Sequence, residues 1–318
     1  MALLNRKTSR KALGRQPDDK RIPRVALNPL PGVTITPPAS ADWTTGVPAS
    51  ALGMLGNDSV GDCVCAGAFH AQQIWEGDAQ GVQTSFSTQD ALAMYSSISG
   101  YTPNNPNSDV GATLLSGLQY WSKTGLDGYK LAAYAQIDAT NVALVQECIA
   151  FFGAVYCGLN VPSSAMTQFD QGQPWSVVSR SRIEGGHCVP LVGYDTAAGT
   201  FTCVTWGAYQ KLTTDFYQRY FDEAWQPVDE DWVSKSGRTP SGLDGATANA
   251  DFQALTGSSA SPFPVVTPTP TPTPVPTPTP TPTPSTTDDA TMWAAAQAWA
   301  QSKGFTSDPT PGPHVHGH

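Results

Sequence analysis

The sequence predicts an α+β fold of two lobes, a helical first half and a β-rich second half with a cleft between them. Residues 63–75 place small and apolar side chains at helical spacing behind Asp62, a good N-cap. Two more stretches with helix-start signals follow before residue 122, and beyond residue 153 the pattern turns to short runs of β-branched and aromatic residues.

Taken in order, residues 1–41 read as a basic, extended arm. Its first 24 residues hold Arg6, Lys7, Arg10, Lys11, Arg15, Lys20, Arg21 and Arg24 against only Asp18 and Asp19, a charge near +6. Pro29, Pro31, Pro37 and Pro38 keep the approach to Asp42 and Trp43 extended. A domain follows over 42–261, its helical lobe about 42–153 and its β-rich lobe about 154–261. After the helix at Cys63, Ser87-Thr88-Gln89-Asp90 caps a second one, residues 111–121 read as a third and 140–152 as a fourth. Residues 154–159, 188–193, 200–206 and 218–221 read as strands. From Thr267 to Pro284 threonine and proline alternate, interrupted only by Val275, within a 262–286 linker. At about 3.1 Å per residue such a segment is a semi-rigid spacer of roughly 55 Å. It leads to a short alanine-rich helix over 287–305, capped by Thr287-Asp288-Asp289, and a polar tail over 306–318 with His314, His316 and His318.

Nine tryptophans, ten tyrosines and eleven phenylalanines stock a large core, and no run of eighteen apolar residues marks a membrane span. The formal charge is −9, so the basic arm is set against a body near −15. That opposition favours a solvated tail on an acidic body over nucleic-acid binding. The arm lacks the apolar stretch of a secretory signal. All six cysteines, Cys63, Cys65, Cys148, Cys157, Cys188 and Cys203, read as free thiols folded in a reducing cytoplasm; the stalk suits a module later released or carried on a particle.

Cys63 opens a helix, and a thiol needs a base to act as a nucleophile at neutral pH. Three of the five histidines lie in the tail, and His70 sits seven residues along the same helix, roughly 10 Å away at 1.5 Å per residue. His187, in Gly185-Gly186-His187-Cys188, is the histidine left to meet Cys63. Zinc binding by Cys63, Cys65, His70 and Cys188 is disfavoured, because Cys-x-Cys on one helical turn points its sulfurs apart. No cofactor or metal is expected.

Five words stand in the order of the papain-like cysteine peptidases, which the chain resembles over about residues 42–225. They are Asp42-Trp43, Gly61-Asp62-Cys63, Phe86-Ser87-Thr88-Gln89-Asp90, Gly186-His187-Cys188-Val189-Pro190-Leu191-Val192-Gly193-Tyr194 and Thr205-Trp206-Gly207. The resemblance implies a papain-like two-lobe fold, and a divergent form of this kind suits a bacterial or bacteriophage-encoded relative. It implies a thiol hydrolase that cleaves peptide or related amide bonds through an acyl-enzyme, with peptide or protein substrates. Cys63 would be the nucleophile and His187 its base, while Asn57, six residues before Cys63, would stand in the oxyanion hole and Trp206 would shield the base.

The chain departs from the family pattern at three places. Val204 stands where the family has the asparagine that orients the histidine, leaving that task to Thr205 or another group. Asn57 replaces a glutamine, and Asp62 places a carboxylate beside the thiol. The competing reading is a papain-fold binding or structural module with an impaired site, displayed on the Pro/Thr stalk, its C-terminal helix docking on a partner. Forty-one residues before Asp42 are too short for the family's usual folded inhibitory propeptide.

Overall fold

The computed structural model describes residues 11–18, the backbone of 26–27, residues 38–233, and discontinuously 237–240, 242, 244–247, 249–250, 259, 261, 263 and 265. All of these belong to one compact unit, Met1–Asn28 with Thr36–Thr267. The Pro/Thr linker, the expected 287–305 helix and the histidine tail lie outside the described residues.

Helix α1 (Cys63–Trp75) is buried along its whole length. Asp62 precedes it but makes no side-chain cap; the first turn closes through its carbonyl, which accepts from the N–H groups of Cys65 and Ala66 at 2.8 and 3.0 Å. Against α1 lie α2 (Thr88–Ser99), opened by the capping box of Ser87 and Asp90, and α3 (Leu114–Lys123), capped by Thr113. Helix α4 (Val142–Phe152) starts at Asn141, whose side chain accepts from the Leu144 N–H. Two short helices, α5 (Ser163–Asp170) and α6 (Thr214–Tyr220), lie in the second half.

The strands are β1 (Ala26–Leu27), β2 (Ser40–Asp42), β3 (Leu131–Ile137), β4 (Val155–Pro162), β5 (Ile183–Asp195), β6 (Thr200–Thr205), β7 (Ala208–Thr213) and β8 (Phe221–Asp229). They form one sheet in the order β1-β3-β8-β4-β5-β6-β7, with β2 added against β5; every pairing is antiparallel except that of β1 with β3. Alternate residues of β4 serve two cores. Tyr156 joins the cluster built on α1–α3, while Val155, Cys157, Leu159 and Val161 join the cluster built on α4–α6. The sheet is therefore covered on both faces.

Two local readings need correction. Residues 218–220 belong to α6, because Thr213 caps a helix there and the strand begins only at Phe221. Strand β3 lies within the stretch assigned to the helical lobe; its alanine-rich Leu131-Ala132-Ala133-Tyr134-Ala135 has little intrinsic strand preference and is held by pairing with β8. No helix among the described residues is long and apolar enough to cross a membrane.

Candidate active site

The packing of α1 against β5 brings Cys63 beside the strand that carries His187. Cys63 is buried, and backbone N–H groups favour its thiolate, that of Gly14 in the N-terminal arm first, then those of Cys188, the residue after His187, and of Val64. His187 faces Leu159 across the β4–β5 ladder. Its Nε2 lies 2.7 Å from Thr205 Oγ1, while Nδ1 is buried with no hydrogen-bond partner. Thr205 is thus the side chain that holds the ring at Nε2; Val204 is packed in the core cluster of α1–α3. Since Thr205 occupies Nε2, Nδ1 is the nitrogen left to exchange a proton with a thiol.

Trp206 covers the imidazole, ring centroids 4.6 Å apart and planes within 20°. A tight hairpin aims it: Thr205 pairs with Ala208, and Trp206 and Gly207 both take left-handed conformations, φ 46° and 68°. That pair of angles belongs to the mirror-image turn that fits the twist of a two-residue hairpin. Few residues other than glycine sit there comfortably, and strain of this kind is concentrated at functional positions.

Asn57 is buried in the turn before α1, where its Nδ2 donates to the Val60 carbonyl at 3.2 Å and its own carbonyl accepts from the Ala12 N–H at 2.8 Å. Asp62 is wholly enclosed. Burial holds its carboxyl well above the ordinary range, opposed chiefly by the Asn57 amide.

The site is electrically quiet. Burial pushes the Cys63 thiol up to about 12, with the backbone donors of Gly14, Cys188 and Val64 opposing the shift and Asp62 adding to it. Burial likewise lowers His187 to about 3. At neutral pH the pair is thiol and neutral imidazole, not the ion pair that the helix dipole and an imidazolium would favour.

Over its described residues 11–18 the arm is not the solvated tail its composition suggests. They run as a strap past Asn57, Gly186 and Ala112. The Ala12 N–H donates to Asn57 O, the Arg15 N–H to Gly186 O at 3.1 Å and the Gln16 N–H to Ala112 O at 2.8 Å; the Ala112 N–H returns to Gly14 O at 2.9 Å. Lys11 pairs with Asp170 and lies over the rings of Phe169 and Trp206, 5.3 and 5.9 Å from their centroids. Arg15 reaches Asp222 at 2.6 Å and Glu223 at 2.7 Å. Gly14 is pressed so close to Gly61 that a Cβ there would stand 1.8 Å from its carbonyl oxygen. The strap turns Gly14's N–H towards the sulfur and ties Gly14's carbonyl to Ala112. A cavity of about 460 Å³ remains alongside, lined by Lys11, Leu13, Gly61, Asp109, Met166 and Glu184 among others.

Gly14, Arg15, Asp222 and Glu223 thus join the site unannounced by the sequence, whereas Gly186 belongs to the His187 word. Arg15 is one of eight basic residues in a polar segment, and nothing local distinguishes it.

No family model matches this sequence, and no curated protein matches it. Solved structures do. Xylellain, a cysteine protease from Xylella fastidiosa, superposes with a TM-score of 0.54 at 18% identity, covering 70% of this chain and 98% of that one. Procathepsin B S9 from Trypanosoma congolense gives 0.49 at 12% identity over 69% of this chain and 87% of that one. Digestive procathepsin L2 from Tenebrio molitor gives 0.47 at 14% over 72% and 81%. The likeness to xylellain is one of fold: this chain has the α+β architecture of the papain-like cysteine proteases.

Proposed function

We propose that the protein is a cysteine peptidase, acting on peptide or related amide bonds through Cys63 and His187, and that residues 11–18 hold it latent. The observation that carries the reading is the division of labour on His187. Thr205 holds Nε2, Trp206 covers the ring, and Nδ1 is left without a partner beside the helix that begins at Cys63. A histidine serving only the core has no use for a buried, unsatisfied nitrogen, which costs about 1–3 kcal/mol.

When the strap leaves, water enters and the burial that suppresses ionisation is relieved. His187 Nδ1 then takes the Cys63 proton as the sulfur attacks the substrate carbonyl carbon. The oxyanion is met by the Cys63 backbone N–H at the positive end of α1, and by the Asn57 side-chain amide once it turns from the Val60 carbonyl. Collapse of this intermediate breaks the C–N bond; His187 returns the proton to the departing amine and leaves a thioester on Cys63. Water, deprotonated by the same nitrogen, releases the acid and restores the thiol.

The test is hydrolysis of a fluorogenic peptide library by the full chain carrying Gly14→Ala, a substitution that the Gly61 carbonyl cannot accommodate with the strap in place. Turnover that disappears in Gly14→Ala/Cys63→Ala and in Gly14→Ala/His187→Ala supports the peptidase. Equal background in all three rejects it in favour of a binding module.

A further inference from the structure

We propose that Glu223, with Asp222, forms a guanidinium-selective pocket beside the nucleophile, and that this pocket selects peptide substrates carrying arginine next to the scissile bond. The selection of substrates rests on the peptidase reading; the chemistry of the pocket stands by itself.

The strap shows what the pocket accepts. Arg15 follows the residue whose N–H touches the Cys63 sulfur, and its own N–H is held by Gly186, the residue before His187. Its side chain then turns into the protein, leaving 6% of its surface exposed, and its two terminal nitrogens meet different carboxylates. Glu223 is itself only 5% exposed on its side chain, whereas Asp222 is 47% exposed at the rim.

The pocket is shaped as well as charged. Glu223 stands opposite Gly158 in the β4–β8 ladder, and a Cβ on Gly158 would fall 2.5 Å from Arg15 Nε. Glycine at this position makes the room that a guanidinium needs. Trp225 Nε1 donates to Glu223 Oε1 at 2.8 Å, while Arg15 takes Oε2, so the carboxylate is oriented with one oxygen turned to the cation. A cavity of about 280 Å³ adjoins the site, lined by Asp138, Asp222 and Glu223 and otherwise by uncharged residues.

Once the strap is gone, Glu223 is a buried carboxylate without its cation, a costly state that an incoming arginine relieves. The fork of the guanidinium fits two acceptors at once, which an aliphatic side chain cannot do. A glutamate in the same position would set like charges together.

Two measurements test the proposal, both on the full chain carrying Arg15→Ala, which vacates the pocket. The first is a panel of fluorogenic peptides with arginine, leucine or glutamate at each position before the leaving group. At one position arginine should exceed leucine in kcat/KM by about tenfold or more, as a charged hydrogen bond requires. Glu223→Gln, which keeps an acceptor for Trp225, should remove most of that ratio. Cleavage without arginine preference, or a preference untouched by Glu223→Gln, overturns the proposal.

The second measurement needs no turnover. A free peptide spanning residues 11–18 should protect Cys63 of the Arg15→Ala chain from iodoacetamide, and the same peptide with leucine for arginine should protect at least about tenfold less well. If the Gly14→Ala chain hydrolyses no library peptide yet this difference holds, the peptidase reading fails and the guanidinium pocket stands. Equal protection by both peptides rejects the pocket.

Discussion

Replacing Arg15 with alanine should unlatch the strap and expose Cys63. Arg15 is buried against Glu223, and a charged hydrogen bond in such a setting contributes about 1.5–3 kcal/mol. Its second partner, Asp222, is half exposed, so that pairing adds no more than about 1 kcal/mol after solvent screening. The four backbone hydrogen bonds of the strap, at Ala12, Arg15, Gln16 and Ala112, are unchanged, so closure is weakened and not abolished. A closed-to-open equilibrium shifted by about 1.5–3 kcal/mol raises the open population about tenfold to a hundredfold. The assay is iodoacetamide labelling at pH 7.5, followed by the mass of the Cys63 peptide. All six cysteines are free and buried, so the other five report on unfolding. Cys63 should label about ten to a hundred times faster in Arg15→Ala than in the parent, with Cys148, Cys157 and Cys203 still protected. A rate within twofold of the parent refutes the latch, and simultaneous labelling of every cysteine refutes selective release.

Other outcomes follow from the same geometry. Gly14→Ala, whose Cβ meets the Gly61 carbonyl, should expose Cys63 more than Arg15→Ala does, in the same labelling experiment. Thr205→Val removes the partner of His187 Nε2, and loss of one hydrogen bond worth about 0.5–1.5 kcal/mol should lower kcat about threefold to tenfold with KM little changed; Thr205→Ser should restore it. Glu76 sits by Asp231 near Asp229, and burial first, then Asp231, raises its carboxyl to about 7. A raised folded pKa means that its stabilising effect is full below the ordinary value of 4.5 and lost as pH rises towards 7. Glu76→Gln should therefore flatten the fall in Tm across that window and raise Tm at pH 8; an unaltered slope in differential scanning calorimetry would count against the assignment.

What the sequence discloses here follows the range of the interactions. Helix α1, the capped α2 and the Cys63 and His187 words are written in spacings of a few residues. The Thr205-Trp206-Gly207 word is equally local, but residues 200–206 read as one strand, and neither the hairpin into β7 nor the left-handed φ of Trp206 that aims its ring is legible. Local pattern misleads where tertiary pairing decides. Residues 218–221 read as a strand on Tyr220 and Phe221, but Thr213 caps a helix and only Phe221 enters β8. The strap is the larger case. Its docking depends on Gly14 meeting Gly61 and Arg15 meeting Glu223, 208 residues away, and a polar, proline-flanked segment carries no periodicity that announces either. The same blindness extends to the electrostatics. An exposed cysteine at a helix N-terminus beside a histidine should ionise readily, and burial under the strap reverses that balance.

The central claim is that Cys63 and His187 form a working pair once the strap is released, and the pH dependence of Cys63 alkylation in Gly14→Ala, with and without His187→Ala, tests it most directly. The account predicts three profiles. In the parent the rate climbs through pH 9 without a plateau, as a thiol held up to about 12 requires. In Gly14→Ala it stays high well below the free-thiol value of about 8.5, and in Gly14→Ala/His187→Ala it returns to titrating near that value. If instead the Gly14→Ala profile titrates near or above 8.5 and is unaffected by loss of His187, Cys63 has no base, and the claim is contradicted.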